Sequence, residues 1–283
     1  MKRLLLISLL SIGLFANENV DKALEYIEKQ EFKQALVLLE KESNKGDAEA
    51  QFNLGAIYYD GLGVKQDYKK AVEFYQKSAD QGYAEAQYNL GSIYANGQGA
   101  KKNYKKAVEF FQKSANQGLK EAQYNLGIMY RAGLGVKQDY KKAITFFQKS
   151  ADQGVAKAQY ILGFMYEKPQ GVKQDYKKAV ELYQKAADQG LIEAQFNLGG
   201  MYIDGQGVKQ DYKKAVELFQ KLADQGDAKA QYNLGGMYYN GLGVKEDYRK
   251  AKGFWQKAAD QGETRAQHNL KIICTKYPEI CTQ

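Results

Sequence analysis

Apolar and polar positions along the chain follow a helical rhythm that breaks, restarts and repeats. From Gly46 to Gln81 the sequence reads GDAEAQFNLGAIYYDGLGVKQDYKKAVEFYQKSADQ, and the pattern begins again at Gly82, Gly118, Gly154, Gly190, Gly226 and Gly262, always 36 residues on. A fixed period of that size is the signature of a solenoid, in which each unit is too small to bury its own apolar face and stacks on its neighbours instead. Within one copy the pattern predicts a first helix, A, over Ala48–Asp60, a loop over residues 61–66, and a second helix, B, over Asp67–Asp80. Asp67 stands where an N-cap carboxylate can accept from free first-turn amides, and Gln81-Gly82 supplies a stop. Gly61 and Gly63 permit the positive φ that a reversal needs, so the two helices form an antiparallel pair.

At 100° per residue, Ala50, Gln51, Leu54 and Tyr58 share one side of helix A, while positions 49, 52, 53, 56, 59 and 60 gather on the other. Helix B turns Tyr68, Ala71, Val72, Tyr75 and Ala79 inward and Lys69, Lys70, Glu73, Gln76 and Lys77 outward. The expected core is therefore Leu54, Tyr58, Ala71 and Tyr75. Gly55 sits in mid-helix, where it costs about 1 kcal/mol relative to Ala, yet it recurs at Gly91, Gly127, Gly163, Gly199 and Gly235. Close approach of the partner helix explains it, with small Ala71 and Ala79 expected opposite. The next position in that series is Lys271, as suits a final helix with no helix B to follow it. One copy departs from the rest: Ile161 stands at the Asn53 slot and Pro169 at the Gly61 slot, so that loop must differ locally.

The ends read differently. Met1-Lys2-Arg3 followed by apolar Leu4 to Ala16 has the layout of a secretory signal peptide cut after Ala16, an uncleaved anchor being the alternative. Residues 17–45 then form an N-terminal cap whose Phe32, Ala35 and Leu39 match Tyr68, Ala71 and Tyr75. Six repeats occupy 46–261, and a capping helix with its tail occupies 262–283. The fold class is all-α, a right-handed α-solenoid of tandem helix–loop–helix repeats.

Composition adds little to fold but restricts function. The formal charge of +8 falls to +6 without Lys2 and Arg3, and lysines alternate with acidic residues inside every repeat. That is a solvated surface and not a nucleic-acid tract. The sole histidine, His268, excludes a multi-histidine zinc site and offers no Ser-His or Cys-His pair. Gly61-Leu62-Gly63 resembles the start of a phosphate loop, but Gln66 stands at the third glycine and no strand precedes it, so these are turn glycines. No cofactor or metal is implied. Cys274 and Cys281 either form a bridge that pins the tail, as an oxidising compartment favours, or remain free thiols.

The motif A-x-A-Q-[FY]-N-L-G-x-x-Y-x-x-G-x-G-V-x-x-D-Y-x-K-A, first seen at Ala48–Ala71, resembles the Sel1-like repeat family, a relative of the tetratricopeptide repeat. The resemblance runs from about Phe32 to the C-terminus. Within the family the chain is similar to the secreted, cysteine-rich bacterial branch, some members of which carry penicillin-binding or β-lactamase annotation. That branch ties helix B to the next helix A through a cysteine pair at slots that here hold Ala79 and Gln87. The S-x-x-K, S-D-N and K-T-G set of serine β-lactamases is absent.

In related solenoids helix A lines the concave surface, which implies a groove bearing two ladders: Phe52, Tyr88, Tyr124, Tyr160, Phe196 and Tyr232, and beside them Asn53, Asn89, Asn125, Asn197 and Asn233. Aromatic rings offer contact area at low entropic cost, and carboxamides both donate to and accept from a peptide backbone. The bland alternative is that the rings pack between helices and the amides hold loops. Slots 56 and 59 vary from copy to copy, Arg131 among them, as differing contacts per repeat require. The expected function is an exported, non-catalytic scaffold, periplasmic or secreted, that binds a protein or extended peptide without a membrane span. The resemblance leaves a β-lactam hydrolase as the alternative, and a groove for peptidoglycan stem peptides as a third reading.

Overall fold

The computed structural model describes residues 17–281, so the proposed signal peptide lies outside the described residues. The chain divides between Ser150 and Ala151 into two compact units. The first holds α1 (Glu18–Glu28), α2 (Phe32–Asn44), α3 (Ala48–Asp60), α4 (Tyr68–Asp80), α5 (Ala84–Asn96), α6 (Tyr104–Asn116), α7 (Lys120–Ala132) and nearly all of α8 (Tyr140–Asp152). The second holds α9 (Ala156–Glu167), α10 (Tyr176–Asp188), α11 (Ile192–Asp204), α12 (Tyr212–Asp224), α13 (Ala228–Asn240), α14 (Tyr248–Asp260), α15 (Thr264–Lys276) and a 3₁₀ turn, Pro278–Ile280. No strand occurs among the described residues, and none of their helices is long and apolar enough to cross a membrane.

The predicted punctuation is present. Asp67 Oδ1 accepts from the backbone N–H groups of Lys69 and Lys70 at 3.0 and 3.1 Å, and Asn103, Asp139, Asp175, Asp211 and Asp247 cap their helices in the same way. Gly61 ends α3 in the left-handed region at φ +71°. At Pro169 the loop does differ: α9 stops at Glu167, and Lys168, ahead of the proline, is extended at ψ 101° in the slot that Asp60 fills as the last helical residue of α3. The clash of the proline ring with the preceding residue disfavours the helical region there.

Leu54, Ala71 and Tyr75 are fully buried, as expected. Two expectations need correction. Slot 57, not slot 58, completes the core stripe: Ile57, Ile93, Met129, Met165, Met201 and Met237 are buried. Tyr58 is half-buried and stacks face to face on Phe74 with centroids 5.6 Å apart, while Lys70 Nζ lies 4.9 Å above its ring. The mid-helix glycine does receive the partner helix, but its nearest contact is an aromatic ring, with the slot 71 alanine beside it at Gly163, where Ala179 O would lie 3.3 Å from an added Cβ. A Cβ on Gly55 would lie 2.6 Å from Tyr75 Cδ1, and the same contact pairs Gly91 with Phe111, Gly127 with Phe147, Gly163 with Tyr183, Gly199 with Phe219 and Gly235 with Trp255. Lys271, which has no such ring to receive, is exposed.

The A helices α5, α7, α9, α11 and α13 are each joined to the B helix before them by a buried glutamine. Gln87 Nε2 donates to Ala79 O at 3.2 Å, and its Oε1 accepts from Gln117 Nε2 at 2.9 Å. In the second unit Gln159 donates to Ala151 O at 3.1 Å and accepts from Gln189 at 2.8 Å. Both ends of these two carboxamides are therefore satisfied, as a buried amide requires, whereas Gln195 Oε1 in α11 has no hydrogen-bond partner.

The chain ends are closed by local chemistry. Cys274 and Cys281 form a disulfide with Cα atoms 5.6 Å apart, and Tyr277 stacks on Tyr248 with centroids 4.3 Å apart. At the other end, buried Glu42 accepts from Lys45 Nζ at 2.8 Å, Asn17 Nδ2 at 3.0 Å and Asn19 Nδ2 at 2.7 Å. The Lys45 and Asn17 hydrogen bonds hold its carboxyl down at about 2, against an ordinary 4.5.

Gly91→Ala forces a methyl into the Phe111 ring, and urea unfolding should show a loss of about 1–3 kcal/mol. Glu42 stabilises the fold while ionised. Its contribution is complete above pH 4.5 and is lost as pH falls from there toward 2. The urea midpoint of Glu42→Gln should accordingly fall below wild type at pH 7, with the gap closing across that window.

Candidate functional site

Because the repeat neither gains nor loses a residue, equivalent side chains on successive A helices share a face within each unit. Slot 52 packs its ring on the slot 75 ring of its own B helix. Centroid separations are 5.8 Å for Phe52–Tyr75, 5.8 Å for Tyr88–Phe111 and 6.0 Å for Tyr124–Phe147 in the first unit, and 5.7 Å for Tyr160–Tyr183 and 5.5 Å for Phe196–Phe219 in the second. In the last copy Trp255 Nε1 donates to Tyr232 O at 3.0 Å. The ladder is thus anchored on its inner side. Its outer side is covered at Phe52, which is 2% exposed because Tyr83 closes over it at 5.2 Å, and at Tyr232, where the Arg265 guanidinium lies 4.5 Å from the ring centroid. Leu119, Val155, Leu191, Asp227 and Glu263 stand at the Tyr83 position elsewhere, and Tyr88, Tyr124, Tyr160, Phe196 and Tyr232 stay half-buried.

The asparagines divide as well. Asn53 is buried, and its Nδ2 donates to Glu49 O at 2.9 Å. Asn89 is buried against the Tyr75 hydroxyl, and neither that hydroxyl nor Asn89 Nδ2 completes a hydrogen bond of good geometry. Phe52, Asn53 and Asn89 thus offer no surface to a partner. Asn125 is half-buried beside Tyr88, and Arg131 lies near Tyr124, whose hydroxyl is pushed up by burial with the Arg131 charge opposing. Asn197 Nδ2 donates to Tyr183 Oη at 3.2 Å, and that hydroxyl donates to Glu167 Oε2 at 2.7 Å. Burial, and then the Glu167 carboxylate, hold the Tyr183 phenol well above the usual range, so it remains a donor. Lys168 Nζ, 3.1 Å from Glu167, balances the charge.

Tyr232 and Asn233 reach an actual hollow. It holds about 400 Å³ between α11, α13 and α15, at the lower end of the range for ligand pockets. Ile203, Gly236 and Tyr239 from the variable slots line it, together with Trp255 and Ile272. Sequence reasoning did not single out Trp255 or Ile272. The signal available was that both fall in slots of the same register, 75 and 56. A broader hollow of about 960 Å³ in the first unit is lined by loop residues and Lys65, Lys69, Lys70 and Lys101. Those lysines are exposed, and the Asp67 carboxylate among them is engaged in capping, so this is a solvated rim and not an assembled site.

The Sel1 repeat family model matches six consecutive stretches, residues 48–83, 84–119, 120–155, 156–191, 192–227 and 228–263. Among solved structures the chain is similar to a protective antigen present in uropathogenic Escherichia coli strains, at 37% identity and a TM-score of 0.80. That match covers 85% of this chain and 52% of the antigen, so the chain spans about half the antigen's length. It is also similar to a Sel1 repeat protein from Oxalobacter formigenes, at 31% identity and a TM-score of 0.73, over 86% of this chain and 97% of that one. No curated protein matches.

Tyr183→Phe strands Glu167 and Asn197 without changing ring volume. Chemical denaturation should show a loss of about 1–2 kcal/mol, where Phe219→Tyr, whose new hydroxyl has no such carboxylate, gives no matching gain.

Proposed function

The chain belongs to the Sel1-repeat family, and from that premise we propose that it is an exported, non-catalytic scaffold that holds an extended segment of a protein partner along the concave face of its A helices. Repeat scaffolds of this kind generally bind proteins. The observation that carries the finer reading is the hollow between α11, α13 and α15, where rings and carboxamides from slots 52, 53, 56 and 59 converge around about 400 Å³ of open space. Such a surface, rigid and aromatic with a few amides, suits a peptide in extended conformation.

Two observations support export. A disulfide joins Cys274 to Cys281, and disulfides persist in oxidising compartments. The similar E. coli protein is described as a protective antigen, which fits a protein displayed or released outside the cytoplasm.

A photo-crosslinking residue at Tyr232, with the same residue at outward-facing Glu217 on α12 as control, tests the site in cells. A discrete adduct from Tyr232 alone is expected, identified by mass spectrometry. Equal labelling from both positions, or none from either, overturns the assignment of this face.

A further inference from the structure

Slot 60, where helix A ends, holds a cation in two copies, and the two are treated differently. Lys168, after α9, lies 3.1 Å from Glu167, its neighbour in slot 59. On α15 the same two slots hold Thr275 and Lys276. Among the described residues no carboxylate pairs with Lys276. It faces phenols instead, with Nζ 5.1 Å from the Tyr277 ring centroid and 5.9 Å from that of Tyr239. Glu246, whose charge also acts on Tyr277, is engaged by the Tyr248 hydroxyl.

The surrounding structure fixes this cation in place. The Cys274–Cys281 disulfide closes the turn that follows α15, and Tyr277 stacks on Tyr248. Tyr239 lines the hollow between α11, α13 and α15, so the ammonium stands at its border. At Tyr232, also in the lining, Arg265 supplies a second cation, but Glu263 accepts from its Nε at 2.9 Å and its Nη2 at 3.1 Å, so that charge is already matched. The wall includes apolar Trp255 and Ile272, the latter 46% exposed, and the carboxamides of Asn233 and Asn269. The helices α13 and α15 carry neither Asp nor Glu, whereas α3, α5, α7, α9 and α11 carry Glu49, Glu85, Glu121, Glu167 and Glu193. Carboxylates are thus missing from the two A helices that bring cations to the hollow.

We propose that the hollow binds an extended protein segment in which an acidic residue stands two places from a large apolar one, the apolar side chain entering against Trp255 and Ile272 and the carboxylate pairing with Lys276. The inference rests on the concave-face reading and deepens it. Residues i and i+2 of an extended segment point to the same face about 7 Å apart, close to the distance from the Tyr239 ring in the wall to the ammonium beyond it. The carboxylate gains the Lys276 attraction while the apolar side chain beside it displaces water, and a lysine in its place meets repulsion. Asn233 and Asn269 offer donors and acceptors to the segment's main chain.

The test uses the full chain and fluorescent heptapeptides with blocked ends and no other charge, read by polarisation. The peptide with Glu two residues from Leu should bind at least about tenfold tighter than the same peptide with Lys in place of Glu, and high salt should shrink that ratio. Ser in place of Leu should weaken binding at least about tenfold. Lys276→Gln should bring the Glu and Lys peptides within about twofold of each other, and Lys276→Glu should reverse their order. Lys213→Glu, at an exposed outward position on α12, makes the same change in net charge and should leave the order and the ratio as they are.

A tenfold ratio that survives in Lys276→Gln overturns the proposal, as does an equal loss in Lys213→Glu, which marks a response to net charge alone. Indifference to the exchange of Leu for Ser overturns the hollow as the site, and so does absence of binding by every peptide. The Tyr232 adduct then separates the two readings: an adduct without peptide binding leaves the concave face standing, and absence of both removes both.

Discussion

A carboxamide sits at the joint between one repeat and the next from α5 to α13, and the register of those helices depends on it. Ala79 and Gln87 meet at the first of these joints, where Gln87 Nε2 donates to Ala79 O at 3.2 Å. The same link recurs from Gln123 to Ala115, Gln195 to Ala187 and Gln231 to Ala223. Its acceptor is a carbonyl near the C-terminal end of helix B, one of the groups that a helix cannot satisfy internally. The Gly82 N–H meets that need at Ala79 O at 3.0 Å, and the glutamine, as a second donor to the same oxygen, transfers the position of helix B to the next helix A. A buried hydrogen bond contributes about 1 kcal/mol and a disulfide about 2–4. The joint therefore sets register, while packing must provide most of the stability.

Packing does so through rings pressed on glycines. With the glutamine fixing height along the helix, slot 75 always arrives at the Gly55 slot, and the absence of Cβ lets an aromatic ring lie on the backbone of helix A. The loss of helix propensity at glycine, about 1 kcal/mol, is offset by burying a ring, whose area is worth roughly 2–3 kcal/mol. The exchange is absent at α15, whose slot 55 is Lys271, exposed, and there the Cys274–Cys281 disulfide and the Tyr248–Tyr277 stack hold the chain after Lys276 against α14 and α15.

Helix boundaries, caps, the aberrant loop at Pro169 and the terminal lysine were all legible in the sequence, because each depends on one residue's own backbone preference. Burial was legible only in part. About Leu54, Tyr58 lies about 40° to one side and Ile57 about 60° to the other, so periodicity alone cannot choose between them. The partner Phe74, on another helix, draws Tyr58 to the surface. Phe52 is likewise indistinguishable from its siblings by slot, and is buried by Tyr83, a residue of the next repeat. The ladders were read correctly as registers, but which rungs remain open is decided by neighbours in space that the repeat pattern averages away.

That averaging also bears on where recognition resides. In an array whose core slots scarcely change, specificity must come from positions free to vary, and those are slots 56 and 59. In the first unit slot 56 holds Ala56, Ser92 and Ile128, and Ala56 is buried, so that surface is filled from within. In the second unit the same slot opens at Gly200 and Gly236, while slot 59 supplies Glu167, Ile203 and Tyr239. Glu167 is already engaged by Tyr183 and Lys168. Arg265 and Lys276 lie over the Tyr232 and Tyr239 rings, 4.5 and 5.9 Å from their centroids, so the hollow between α11, α13 and α15 joins apolar wall and amides to a cationic border.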